Sequence, residues 1–150
     1  MEAGFFPCPS GWAFLLPEGI RHIRDPWSAA GREWDFLALT PMGCRMLAGE
    51  RVKSRVLLLP GGERWSNFEA ETVIPYGLSP RDSLTFSGLR EPVLCLQRKL
   101  PLLHGGSLEP QEFPMPGLRD AEELLPYLGA RLLWTGSPYV GMGQKIRKIP

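Results

Sequence analysis

The chain has 150 residues, 43% of them hydrophobic and 22% charged, with 17 Lys and Arg against 16 Asp and Glu for a net charge of +1. That is the size and balance of one globular domain rather than of a disordered chain. It gives no overall field to draw the molecule to nucleic acid or to a membrane surface, and no apolar run approaches the ~20 residues of a membrane helix. Seventeen glycines and sixteen prolines make up more than a fifth of the residues; average usage is about 12%. They are spread along the whole chain, which predicts many short elements joined by tight turns and argues against a helical bundle.

Residues 1–33 carry Pro7, Pro9, Pro17 and Pro26 among Phe5, Phe6, Trp12, Phe14 and Trp27. Prolines at such intervals leave little room for long elements. The segment is predicted to be an irregular N-terminal extension packed on the domain, its rings in the core or offered to a protein partner.

Residues 34–136 read as a single α/β domain. Three continuous apolar runs end in turn residues: Asp35–Leu39 before Thr40-Pro41, Arg55–Leu59 before Pro60-Gly61-Gly62, and Thr72–Tyr76 before Gly77. Such runs fit strands buried on both faces. Met42–Ser54 is long enough for two or three helical turns, with Met42, Met46 and Leu47 on one face. Glu63–Glu71 has room for one or two turns. Strand, crossover, strand implies about three parallel strands with right-handed connections.

From Ser83 the pattern changes to Ser83–Ser87, Pro92–Arg98 and Glu109–Phe113, separated by gaps too short for crossovers, so an antiparallel extension is predicted. A C-terminal helix is predicted over 119–134 from Ala121, Leu124, Leu125, Leu128 and Leu132. Asp120 and Glu123 stand at capping-box spacing, and Pro126 is expected to kink or split the helix. Residues 137–150 are expected to form an exposed basic tail with Lys145, Arg147 and Lys148. The expected architecture is a small three-layer-like domain.

If the three buried runs are parallel, their carboxyl ends share one sheet edge, where open α/β sheets bind ligands. At that edge the sequence puts Gly43, Gly61, Gly62, Tyr76, Gly77, Ser79, Arg81 and Asp82. Glycine amides approach anions closely, and an arginine fork suits phosphate or carboxylate. These eight residues are the predicted ligand-binding set; the competing reading is that the Gly, Ser and Asp residues serve only turn geometry.

Catalytic motifs are absent. There is no G-x-x-x-x-G-K-[ST], no G-x-G-x-x-G after a strand, and no G-x-S-x-G elbow. Gly141-Met142-Gly143 comes too late in the chain for dinucleotide binding. Cys8, Cys44 and Cys95 are odd in number and lack C-x-x-C spacing, which argues against a disulfide framework or zinc site. His22 and His104 are the only histidines, and nothing in the sequence brings His104 to Cys44. No cofactor, metal or catalytic residue is therefore predicted. Met1-Glu2 opens without a basic, then apolar, leader, and the expected setting is a reducing, bacterial cytoplasm.

The stretch Glu71-Thr72-Val73-Ile74-Pro75-Tyr76-Gly77-Leu78-Ser79-Pro80-Arg81-Asp82-Ser83-Leu84-Thr85-Phe86-Ser87 resembles part of the central domain of Mur ligases. There a strand ends in a Tyr/Phe-Gly-Leu-Ser-like turn and leads into antiparallel strands. The resemblance covers 71–87, implies that local topology, and carries no catalytic residues because the family's P-loop is missing. Val56–Gly62 is similar to a strand-to-loop segment of glutamine-amidotransferase-like proteins. Their G-x-C-x-G elbow has no match here: Cys44 lacks the second glycine and precedes the Pro-Gly-Gly loop.

The predicted function is a non-catalytic binding or accessory module. Its partner is expected to be an anionic small molecule at the strand ends, or a protein at the N-terminal rings, with no membrane; a nucleic-acid contact through Lys145 to Lys148 is the weakest reading at a net charge of +1. The alternative is a small transferase or hydrolase for a nucleotide-linked or carboxylate substrate, with Arg81 holding the anion and Asp82 acting as base.

Overall fold

The computed structural model describes residues 1–62 and 65–140. Strand β1 (Ala3–Phe6) leads through a 3-10 turn (Ser10–Leu15) to β2 (Ile20–His22), then helix α1 (Pro26–Ala30) and β3 (Glu33–Leu39). Helix α2 (Pro41–Met46), β4 (Val52–Pro60), β5 (Phe68–Tyr76), β6 (Leu84–Phe86) and β7 (Val93–Leu96) follow. The chain ends with β8 (Leu100–Pro101), β9 (Ser107–Leu108), β10 (Gln111–Pro114) and α3 (Ala121–Thr135).

Eight strands form one mixed sheet in the order β10-β7-β6-β5-β4-β3-β1-β2, and β8 and β9 form a separate small ribbon. From β2 to β6 every neighbouring pair is parallel; β7 is antiparallel to β6 and to β10. The α/β class and the antiparallel extension are as predicted. The parallel part is larger than three strands, and the surplus comes mainly from residues 1–33. Those residues are not irregular throughout: β1 lies between β2 and β3, with Phe5 and Phe6 fully buried. The prolines end the strands rather than preventing them, Pro7 directly following β1.

Two apolar layers sandwich the sheet. On one face α3 packs Leu124, Leu128 and Leu132 against Phe5, Phe36, Leu58 and Ile74. On the other, Cys44 and Leu47 at α2 join Phe6, Leu37, Leu57 and Leu59. Gly129 lets α3 approach closely: a Cβ there would lie 3.0 Å from Leu84 and 3.1 Å from Leu58. Asp35 and Phe36 both donate backbone N–H groups to the Glu2 carbonyl, at 2.8 and 3.2 Å. Trp34 and Phe36 join opposite layers despite their even spacing, and on β4 Val52 and Val56 do the same.

Four local expectations are corrected. Helix α2 ends at Met46, and Met42 and Met46 are exposed while Gly43, Cys44 and Leu47 are buried. Of the stretch Glu63–Glu71 read as one or two helical turns, residues from Phe68 on already belong to β5. Asp120 makes no capping box: its φ of 55° is left-handed and its side chain does not cap, because side-chain capping requires an extended backbone. Helix α3 also continues through Pro126 without a break. The basic tail and Gly141-Met142-Gly143 lie, from residue 141 on, outside the described residues.

Candidate functional site

The parallel strands deliver their carboxyl ends to one side of the molecule, and a cleft of about 760 Å³ opens there. The segment after β1 contributes Pro7 and Pro9, and the β3–α2 junction contributes Thr40, Pro41, Met42 and Arg45. The loops after β4 and β5 add Pro60, Gly61, Gly62, Tyr76, Gly77, Leu78, Ser79 and Asp82. The first turns of α3 close the far wall with Glu122, Glu123, Leu125, Pro126 and Tyr127.

Six of the eight sequence-predicted residues thus meet in one cleft: Gly61, Gly62, Tyr76, Gly77, Ser79 and Asp82. Gly43 does not line it. Its α-carbon is pressed against the Phe6 carbonyl, which a Cβ would overlap. Arg81 is exposed and outside the cleft wall. Arg45, which sequence reasoning missed, is the cation among the described lining residues. Its signal was present: Met42 and Arg45 stand three apart on α2 and therefore share a face. Glu122 and Glu123, in the first turn of α3, also line the cleft.

The loop amides are mostly engaged. Gly61 N–H donates to the Tyr76 carbonyl at 2.8 Å and Gly77 N–H to Leu84 at 3.0 Å. Ser79 N–H donates to Asp82 Oδ2 and Gly43 N–H to Thr40 Oγ1, both at 3.0 Å. These four amides hold the loops together and are not free for a ligand.

The glycines have a specific steric reason. Asp82 is only 4% exposed, and its carboxylate is lodged between Gly61 and Gly77. A Cβ on Gly61 would overlap Oδ1, and one on Gly77 would come within 2.5 Å of Oδ2. The Asp82 carbonyl accepts from Gln97 Nε2 at 2.6 Å, tying the loop to the end of β7. Asp82 is thereby the fixed post around which the β4 and β5 loops fold.

The floor is apolar and aromatic. Tyr127 stacks on Phe5 with ring centroids 4.4 Å apart, and Trp12 leans on it at 5.2 Å. Tyr76 is buried and its hydroxyl donates to the Leu39 carbonyl at 2.6 Å. Burial pushes both phenols above the ordinary tyrosine range, with the neighbouring Cys44 and Tyr127 adding to the effect at Tyr76 and Cys8 and Glu123 at Tyr127. Burial likewise raises the Cys8 thiol, against a smaller opposing pull from Arg24.

Groups whose native pKa lies above the unfolded value stabilise the fold fully below that unfolded value, and the stabilisation is lost as pH rises past it. Urea midpoints are therefore expected to hold from pH 7 to about 9 and to fall above pH ~10. Tyr76→Phe is expected to cost about 1–3 kcal/mol at pH 7 and to make that alkaline fall shallower. A midpoint unchanged by the substitution at pH 7 would show that the Tyr76–Leu39 bond adds nothing.

Cys44 belongs to the α2 layer, whereas the His104 ring meets Trp134 edge-on at 4.4 Å on the α3 side of the sheet. A Cys–His couple is not formed. Among the described residues no three His, Cys, Asp or Glu side chains cluster as a metal site would require, and no helix is long and apolar enough to cross a membrane. Of the N-terminal rings, Trp27 is 79% exposed and Phe14 51%, while Trp12 is half-buried. Comparison with protein families, with characterised proteins and with solved structures finds no match for the chain.

Proposed function

We propose that the protein is a binding module whose small-molecule ligand occupies the cleft at the carboxyl ends of β1, β3, β4 and β5. The observation that carries this reading is the convergence of six predicted residues, from two separate loops, on one cleft. Its volume is in the range of small-molecule sites, and its wall combines apolar surface with a few charged groups. Arg45 supplies the anion contact. Glu122 and Glu123, across the cleft on α3, favour a second group that is cationic or rich in hydroxyls. The ligand class is therefore a small carboxylate or phosphate that also carries an amine or sugar hydroxyls.

The transferase or hydrolase reading asks Arg81 to clamp the anion and Asp82 to act as base. Arg81 is outside the cleft wall, and Asp82 is committed to its loop, so this reading lacks its two working groups. The Mur ligase resemblance stays local: residues 71–87 span the end of β5, the loop holding Asp82, and β6. A bacterial cytoplasmic setting is part of the proposal and rests on the sequence alone.

Thermal melting against nucleotides, nucleotide sugars, sugar phosphates and amino acids tests the proposal. A ligand at 100 times its Kd adds about 2.7 kcal/mol, a Tm rise on the order of 5–10 °C. Arg45→Ala is expected to remove the rise while leaving the Tm of the free protein within about 2 °C, because Arg45 is exposed. A rise that survives Arg45→Ala would refute this site.

A further inference from the structure

Strand β5 is nine residues long, and β4 pairs with it along its whole length. On its other side β6 pairs only at Tyr76, opposite Leu84. The Pro75 carbonyl also accepts from Ser83 N–H at 2.8 Å. Among the described residues, no strand covers that side of β5 from Phe68 to Val73. This is an open strand edge of roughly 20 Å in the middle of the sheet, long enough to template another strand.

The residues beside the edge carry a cross-strand charge pattern. In register across β3, β4 and β5 stand Glu33, Lys53 and Glu69. Lys53 Nζ lies 3.4 Å from Glu33 Oε1. Further along, Asp35, Arg55 and Glu71 lie between the registered rows Trp34–Ser54–Ala70 and Phe36–Val56–Thr72, and these six charged side chains help to line one shallow groove of about 610 Å³. Each charged row alternates acid, base, acid and stops on an acid at β5. Opposite charges directly across a sheet stabilise and like charges destabilise. The next strand in both rows is therefore one that places Lys or Arg beside Glu69 and Glu71. A second β5 would set glutamates against glutamates, which disfavours self-pairing through this edge. Exposed Val73, at 53%, adds an apolar contact at the upper end.

The geometry points to β5 as a docking edge for an extended, basic segment of a partner polypeptide, added as a strand with Lys or Arg beside Glu69 and Glu71. Main-chain pairing supplies affinity in this mode, and the two rows supply register and sign. The site is distinct from the strand-end cleft, since none of its residues lines that cleft.

A six-residue synthetic peptide alternating lysine and valine, capped at both ends, is the probe, and the full-length protein is the target. Binding by fluorescence anisotropy is expected for this peptide and at least tenfold weaker for the same peptide N-methylated at alternate amides, which keeps the charge but cannot pair. Glu69→Lys combined with Glu71→Lys, both on the exposed surface, is expected to weaken binding at least tenfold without changing the circular dichroism spectrum. Equal binding of the plain and N-methylated peptides would reduce the effect to charge and overturn the proposal. Absence of binding to the plain peptide at low salt would overturn it too. Tighter peptide binding after removal of residues 141–150 would assign the edge to the chain's own basic tail and overturn the partner assignment.

Discussion

Phe5→Ala is expected to lower the unfolding free energy by about 3–5 kcal/mol. Phe5 is fully buried on β1, inside the sheet, and its ring stacks on Tyr127 of α3. Truncation removes apolar area from the α3 layer and leaves a void between sheet and helix that neither rigid element can close. Stabilities of single domains are about 5–15 kcal/mol, so the loss is a large fraction of the whole. Urea unfolding is the measurement: the midpoint is expected to fall sharply with little change in slope. If residues 1–33 were only an appended extension, the midpoint would move by less than the equivalent of about 1 kcal/mol. The same change lets Tyr127 shift, so it weakens the cleft wall as well as the fold.

Gly61→Ala is expected to cost about 2–4 kcal/mol, the sum of overpacking and a disturbed charged hydrogen bond. The added Cβ overlaps Asp82 Oδ1, and the carboxylate has nowhere to retreat: Gly77 lies on its other side and Ser79 N–H holds Oδ2. Asp82→Ala alone is expected to cost about 1.5–3 kcal/mol through the freed Ser79 amide. In the Asp82→Ala background the obstacle is gone, so Gly61→Ala becomes much cheaper. The double-mutant cycle is expected to show about 1–2 kcal/mol of coupling. Strict additivity would mean that the glycine and the carboxylate do not share a slot.

The positions of the strand ends were legible because each apolar run stops at Pro or Gly, and those stops coincide with the cleft. What the sequence left hidden has physical causes. Strand β1 has four residues, too short for a period, and is closely followed by two prolines that read as punctuation. Helix α2 buries Gly43 and Cys44 rather than its methionines, because Gly43 packs against the Phe6 carbonyl and Cys44 joins the apolar layer on that face. Gly61 and Gly77 read equally well as openings for a ligand or as room for a side chain. Only the fold shows that the side chain is Asp82, 21 residues after Gly61 in the chain. Arg81 stands next to Asp82 in sequence, yet the turn tying Ser79 to Asp82 leaves it on the surface. Arg45 reaches the cleft because α2 begins at its rim. The open side of β5 was invisible for another reason: its run looks like an interior strand, and the missing neighbour is a property of topology.

The most direct test of the cleft as a ligand site is an amide NMR titration with the compound that raises the melting temperature most. The binding account predicts shifts concentrated on Met42, Arg45, Gly61, Gly62, Gly77, Leu78, Ser79 and Glu122–Tyr127, with Glu69 and Glu71 unmoved. Shifts confined to β5 or to the α1 surface around Trp27, with the strand-end loops unchanged, would contradict it.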